Sequence, residues 1–148
     1  MPLSSTIDWT RPQAYRSAGL LPAPQGEGAR LTLFALRRIA MAGLADAHAA
    51  EAMVRNFGLG FRRPLLLLRT IMLELSHGAR RTIVLAPCCC GRITRDEGRL
   101  LLALRHAPLN EARARRHLAR LTRPDAGDRV LCAAAAYGWA LRDLARPV

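Results

Sequence analysis

The sequence contains no lysine, and all 23 of its basic residues are arginine. Only 11 residues are acidic, which gives a formal net charge of +12 at pH 7. A positive excess of this size predicts attraction to polyanions, such as nucleic acid or an acidic protein. Arginine on the solvated faces of an ordinary soluble protein would give the same composition. The net charge alone therefore does not indicate a function.

Aromatic residues are also scarce, at 5% of the chain, although 51% of the residues are hydrophobic. Most of the hydrophobic residues are leucine and alanine, which favour helix over strand. A chain of 148 residues is long enough to bury the core of one domain. The composition therefore favours one helical domain.

Long apolar runs and an export signal are both missing. The longest apolar runs, "PLLLL" and "LLLAL", are far shorter than the roughly 20 residues that a membrane-spanning helix needs. The first residues lack a basic segment followed by an apolar one. We therefore expect no transmembrane segment and a cytoplasmic location, where stable disulfides are uncommon.

Familiar catalytic motifs are absent as well: there is no nucleophile elbow, phosphate-binding loop, dinucleotide fingerprint or pair of catalytic carboxylates. The adjacent acids Asp96 and Glu97 fit a role in helix capping, because Glu97 follows Thr94 by three residues. We therefore expect a non-catalytic regulatory or interaction protein and not an enzyme.

The spacing of the apolar residues predicts an all-α fold, a compact bundle of about five helices. The predicted helices cover residues 30–57, 64–77, 94–107 and 110–121, and a last helix starts at Asp125 or Asp128 and extends to residue 144. Gly43 bends or splits the first of them. The helix that starts at Pro64 is apolar on nearly every side, which predicts a central, buried position.

The N-terminal residues 1–28 contain four prolines and three glycines, which interrupt any periodicity. We predict an irregular, Pro-rich arm over residues 1–28 and a single helical domain over residues 29–148. The segment Arg81–Pro87 alone has strand character. Because a lone strand has no partner inside a helical domain, we expect an extended connector, or else an edge that pairs across a dimer.

Three of the four cysteines lie together in "APCCCGRITRDEG". The loop cysteines are Cys88, Cys89 and Cys90. They lack the C-x2-C spacing of dedicated zinc and iron sites, so a metal would need Cys132 or a histidine from another helix. Alternatively, the helix start at Thr94 and the charge of Arg92 favour a reactive thiolate, above all at Cys90, and a redox switch. The third possibility is three structural thiols and no cofactor. We expect Cys132 to face the core of the last helix and to react slowly.

Glu74 and His77 form an E-x-x-H pair on one face of the helix that starts at Pro64. Di-iron bundles use two such pairs and two further glutamates, whereas this sequence has one pair. Glu74 and His77 are therefore weak metal candidates. The alternative is that Glu74 pairs with a buried arginine, while the charge of His77 suits the C-terminus of its helix.

A stripe of arginines follows one face of the helix predicted over residues 110–121. It consists of Arg113, Arg116, Arg120 and Arg123, with Arg115 and His117 beside it. This stripe predicts a polyanion-binding surface, for nucleic acid above all, as the alternative to a regulatory function based on the cysteine loop. Recognition helices also carry asparagine, glutamine, serine or threonine to read base edges, and this stripe offers almost none of them. A solvated face would show the same spacing.

The Pro-Cys-Cys cluster followed by "RITRDEGRLL" resembles small uncharacterised bacterial proteins that are grouped as a domain of unknown function. The resemblance implies that the cysteine loop and the helix after it form one unit, and it implies no activity. Short leucine-rich helices often leave an apolar face uncovered, so we also expect a homodimer.

Overall fold

The computed structural model describes residues 7–8 and 19–148. In this part of the chain six α-helices form. They are α1 (Glu27–Ala42), α2 (Ala47–Phe57), α3 (Arg62–Gly78), α4 (Arg95–His106), α5 (Glu111–Leu118) and α6 (Pro124–Asp143). A 3-10 turn, Gly58–Phe61, connects α2 to α3. The predicted all-α fold is confirmed, and no helix in the described residues is long and apolar enough to cross a membrane.

The first predicted helix is two helices because the backbone changes direction at Gly43. This glycine has φ +98°, in the left-handed region that favours glycine. Asp46 then starts α2 by accepting a hydrogen bond from the backbone N–H of Ala49, at 2.7 Å.

Helices α3 and α6 form the most extensive helix–helix contact. Leu68 and Ile71 of α3 are fully buried, as are Tyr137 and Leu141 of α6. One face of α3 is thus buried against α6, whereas the prediction that α3 is buried on nearly every side is wrong, since its Leu66 is 65% exposed.

Two pairs of very short strands attach the N-terminal arm to the segment that connects α3 to α4. Strand β1 (Ile7–Asp8) pairs in parallel with β3 (Ile83–Val84), and β2 (Leu21–Pro22) pairs antiparallel with β4 (Arg92–Ile93). The connector expected at residues 81–87 thus contains a strand, and its partner is the arm of the same chain. Strands of two residues show no alternating pattern from which the pairing could be predicted. The rest of the predicted arm, residues 1–6 and 9–18, lies outside the described residues.

Candidate thiol loop and candidate polyanion surface

A buried arginine, Arg37 of α1, holds the cysteine loop in place. Its side chain is 4% exposed and pairs with the fully buried Glu97 of α4, with 2.7 Å between Arg37 Nε and Glu97 Oε1. The two terminal nitrogens of Arg37 donate to the carbonyl oxygens of Cys90, at 2.8 Å, and Arg92, at 2.7 Å. The loop backbone is therefore clamped between α1 and α4.

Glu97 uses both carboxylate oxygens inside the protein. Besides Arg37, it accepts hydrogen bonds from the backbone N–H groups of Ala86, at 3.0 Å, and Thr94, at 2.8 Å. The Thr94 hydroxyl oxygen in turn accepts from the N–H of Glu97, at 3.1 Å, which completes the predicted capping box. With its charge neutralised and its acceptor sites filled, Glu97 has a structural role.

The loop cysteines differ in exposure: Cys89 is exposed, whereas Cys88 and Cys90 are partly buried. Burial raises the pKa of the Cys88 thiol, and the charges of Arg38 and Arg37 offset only part of this effect. Arg92, predicted to stabilise a thiolate, donates instead to the carbonyl oxygen of Leu20, at 3.0 Å. The arginines whose charges favour the Cys88 thiolate thus come from α1, about 50 residues earlier in the chain.

Cys132 is exposed on α6, and the prediction that it faces the core is wrong. The buried stripe of α6 follows Val130, Ala134 and Tyr137. Cys132 lies two residues after Val130, which places it on nearly the opposite side of the helix.

The predicted metal ligands are not brought together in the part of the chain that the structure describes. Among those residues, no three histidine, cysteine, aspartate or glutamate side chains form a group that could hold a metal ion. Glu74 forms an ion pair with Arg129 at 2.7 Å, and this arginine is 53% exposed, where the sequence suggested a buried one. His77 is exposed near the end of α3.

Every carboxylate side chain between residues 19 and 148 lies within 4.0 Å of an arginine nitrogen. The pairs are Glu27–Arg146, Asp46–Arg38, Glu51–Arg55, Glu74–Arg129, Asp96–Arg81, Glu97–Arg37, Glu111–Arg115, Asp125–Arg123, Asp128–Arg115 and Asp143–Arg63. All the negative side chains of this region are thus engaged. Residues 19–148 contain more arginines than carboxylates. The charge of the remaining arginines can therefore be neutralised only by anions from outside this region.

A depression between α4 and α5 gathers part of this surplus, and we call it the basic surface. It is lined by Arg99, His106, Arg113, Arg116, His117 and Arg120. No carboxylate lines it. Arg113, Arg116 and Arg120 are exposed and form no ion pair with any described residue.

The structure brings three of the four predicted stripe arginines together and separates Arg123 from them. Arg115, predicted to lie beside the stripe, pairs with Glu111, at 2.8 Å, and with Asp128. Arg123 donates to the carbonyl oxygen of His77, at 2.9 Å. Arg123 lies apart because α5 ends at Leu118, before the predicted residue 121, and the chain then turns towards α3.

Two histidines stack inside the basic surface, and only His117 was noticed in the sequence. The rings of His106 and His117 are nearly parallel, at 8°, with their centroids 6.0 Å apart. Burial lowers both pKa values, and so do nearby arginines, Arg113 for His106 and Arg116 for His117. Both rings are therefore neutral at pH 7, which lets them stack without repulsion.

A family model described as "Family of unknown function (DUF6628)" matches residues 14–145. None of the curated proteins and none of the solved structures matches the chain. The resemblance to a family of unknown function is confirmed, whereas a bacterial origin and a Pro-Cys-Cys loop shared by the family stay predictions. Because the match covers most of the 148 residues, the chain belongs to the family of unknown function DUF6628.

Proposed function

We propose that the protein binds a polyanion, nucleic acid above all, through the basic surface. One observation carries this proposal: the carboxylates of residues 19–148 are all paired with arginine, yet Arg113, Arg116 and Arg120 share one depression without a carboxylate. Like charges that lie together in one depression repel one another and destabilise the folded protein unless an anion neutralises them. The regulatory function that the sequence analysis put first depends on the cysteine loop. We treat it as the second candidate function.

The chemistry of the surface fits phosphate contacts better than the reading of bases. Guanidinium groups bind phosphate through paired N–H donors, and each contact releases a condensed counterion from the nucleic acid. The lining includes no asparagine, glutamine, serine or threonine that could read the edges of bases in a groove. We therefore propose binding that depends strongly on salt and weakly on sequence.

Removal of the three free arginines tests this proposal. In the variant Arg113→Ser/Arg116→Ser/Arg120→Ser, affinity for a labelled DNA strand of mixed sequence should fall about 100-fold at about 0.1 M salt. Each phosphate contact to a single strand contributes a factor of about 5 there. Fluorescence anisotropy measures the affinity.

A matched control removes three exposed arginines that lie outside the basic surface: Arg30→Ser/Arg62→Ser/Arg142→Ser. It lowers the net charge by the same amount, so only long-range attraction changes, and we expect a loss of less than about threefold. If both variants lose affinity equally, net charge and not this surface governs binding, and the proposal fails.

A thiol switch at the loop cysteines is the second candidate function, favoured by the exposure of Cys89 beside two partly buried thiols. Hydrogen peroxide would take two electrons from the Cys89 thiolate, forming a sulfenic acid and releasing hydroxide. A neighbouring loop thiol would then attack the sulfenic sulfur, forming a disulfide and releasing water.

Brief alkylation near pH 7.5 tests the thiols. We expect labelling of Cys89 and Cys132 before Cys88, because the first two are exposed and burial raises the pKa of Cys88. Peptide mass mapping measures the order. After peroxide, Cys89 should resist alkylation until a reductant is added, whereas Cys132, which has no neighbouring cysteine in sequence, should not form the same disulfide. Equal labelling of Cys89 with and without peroxide would rule out the switch.

A homodimer, an acidic protein partner and a cytoplasmic location all stay predictions. For a homodimer, the exposed apolar side chains on the central helix pair would supply the contact: Leu66 of α3 is 65% exposed and Trp139 of α6 is 46% exposed.

A further inference from the structure

We propose that the basic surface takes single-stranded rather than duplex nucleic acid, with the stacked rings of His106 and His117 as the platform for an unpaired base. This inference rests on the proposed function and names the class of ligand for the same surface.

The first argument is the mixture of groups in the basic surface. Proteins that bind single strands combine a positive groove, which follows the phosphates, with flat aromatic side chains on which bases stack. The basic surface has both components, four arginines and two imidazole rings, in one depression. Because every base has a flat face, such stacking needs no reading of the sequence.

The second argument is the state of the rings. They lie within 8° of parallel, are only partly buried and line the depression, so they are reached from the same side as the arginines. Burial above all, and then the charges of the nearby arginines, lower the pKa values of both rings and favour their neutral form at pH 7. A neutral imidazole offers a base its flat face, and histidine is among the residues on which unpaired bases stack.

The third argument is shape. The depression has a volume of about 570 Å³. Pockets of roughly 300–1,000 Å³ receive small molecules, so the size suits one or two unpaired nucleotides. A duplex would present its outer phosphates and leave the histidine rings unused, because its bases are stacked on one another. Helix α5 has only eight residues, and the lining offers none of the side chains with which groove-reading helices usually contact adenine.

Affinity for matched DNA probes near pH 7.5, above the ordinary histidine pKa of about 6.5, tests the inference. The probes are a labelled strand of mixed sequence, the same strand annealed into a duplex, and the same strand with abasic sites in place of its central bases. The unmodified protein should bind the intact strand at least fivefold more tightly than either other probe, which is the lower end of what base–aromatic stacking contributes.

Two histidine variants separate stacking from other effects. His106→Gln/His117→Gln should bind strand and duplex equally, because the flat rings are gone. His106→Phe/His117→Phe should keep the preference, since its rings are neutral and flat. Affinity for the duplex should stay the same in both variants.

The outcomes distinguish this inference from the function on which it rests. Equal binding of strand, duplex and abasic strand by the unmodified protein, with the affinity lost in the triple arginine variant, would overturn the inference and leave polyanion binding intact. A preference for the strand that survives in the glutamine variant would also overturn it. If the protein binds none of the probes, polyanion binding itself fails.

Discussion

Replacement of Arg37 by methionine is expected to lower the free energy of unfolding by about 3–5 kcal/mol. The Arg37 side chain is 4% exposed, and its partner Glu97 is fully buried. The variant would leave the Glu97 carboxylate buried without a countercharge, and it would also leave the carbonyl oxygens of Cys90 and Arg92 without their donor. Urea denaturation followed by circular dichroism measures the loss.

An ion pair at the surface supplies the control. Arg55 pairs with Glu51 one turn earlier in α2, and the two side chains are 75% and 54% exposed. Arg55→Met should cost less than about 1 kcal/mol, because water screens both charges. The double variant Arg37→Met/Glu97→Gln should cost less than the sum of its two single changes. Equal losses for Arg37→Met and Arg55→Met would show that the buried pair does not organise the loop.

Replacement of Gly78 by alanine is the second change with a large expected effect. A Cβ atom at this position would lie 2.1 Å from the Cβ of Ala126, where α3 meets the first turn of α6. Neither atom belongs to a flexible side chain, so the helices must separate. Overpacking of this kind costs about 1–3 kcal/mol, against a gain of about 1 kcal/mol from the higher helix propensity of alanine. We expect a net loss of stability in urea denaturation.

The control for this contact is a glycine with room around it. Gly91 lies outside the helices, has no positive φ and has no atom within 4 Å of an added Cβ, so Gly91→Ala should change the free energy of unfolding by less than about 1 kcal/mol. The size swap Gly78→Ala/Ala126→Gly restores the clearance and should recover most of the loss. A variant Gly78→Ala as stable as the unmodified protein would contradict the close approach of α3 and α6.

The helices could be predicted from the sequence because each carries a local signal. The apolar spacing placed them, and the capping box at Thr94 fixed the start of α4. Whether Gly43 bends or ends a helix was undecided, since both fit the local pattern. The pairing of Ile83–Val84 with Ile7–Asp8 could not be predicted, because strands of two residues leave no period to detect.

The candidate sites depend more on tertiary contacts, and the sequence predicted them less well. The cysteine cluster is visible in the sequence, whereas the role of Arg37 is not, because its partner Glu97 is 60 residues away and an arginine beside Leu36 resembles a surface residue. Three stripe arginines were placed correctly on one surface. The stacking of His106 on His117 depends on how α5 packs against α4, which no local pattern encodes.

The salt dependence of binding tests the central claim, that Arg113, Arg116 and Arg120 neutralise phosphates. The logarithm of the association constant for the DNA strand should fall linearly with the logarithm of the salt concentration. Each lost phosphate contact reduces the slope by about 0.7, so the triple serine variant should have a slope about 2 units shallower than the unmodified protein. The charge-matched control, with Arg30, Arg62 and Arg142 replaced, should keep the original slope. An unchanged slope in the triple variant would contradict the account.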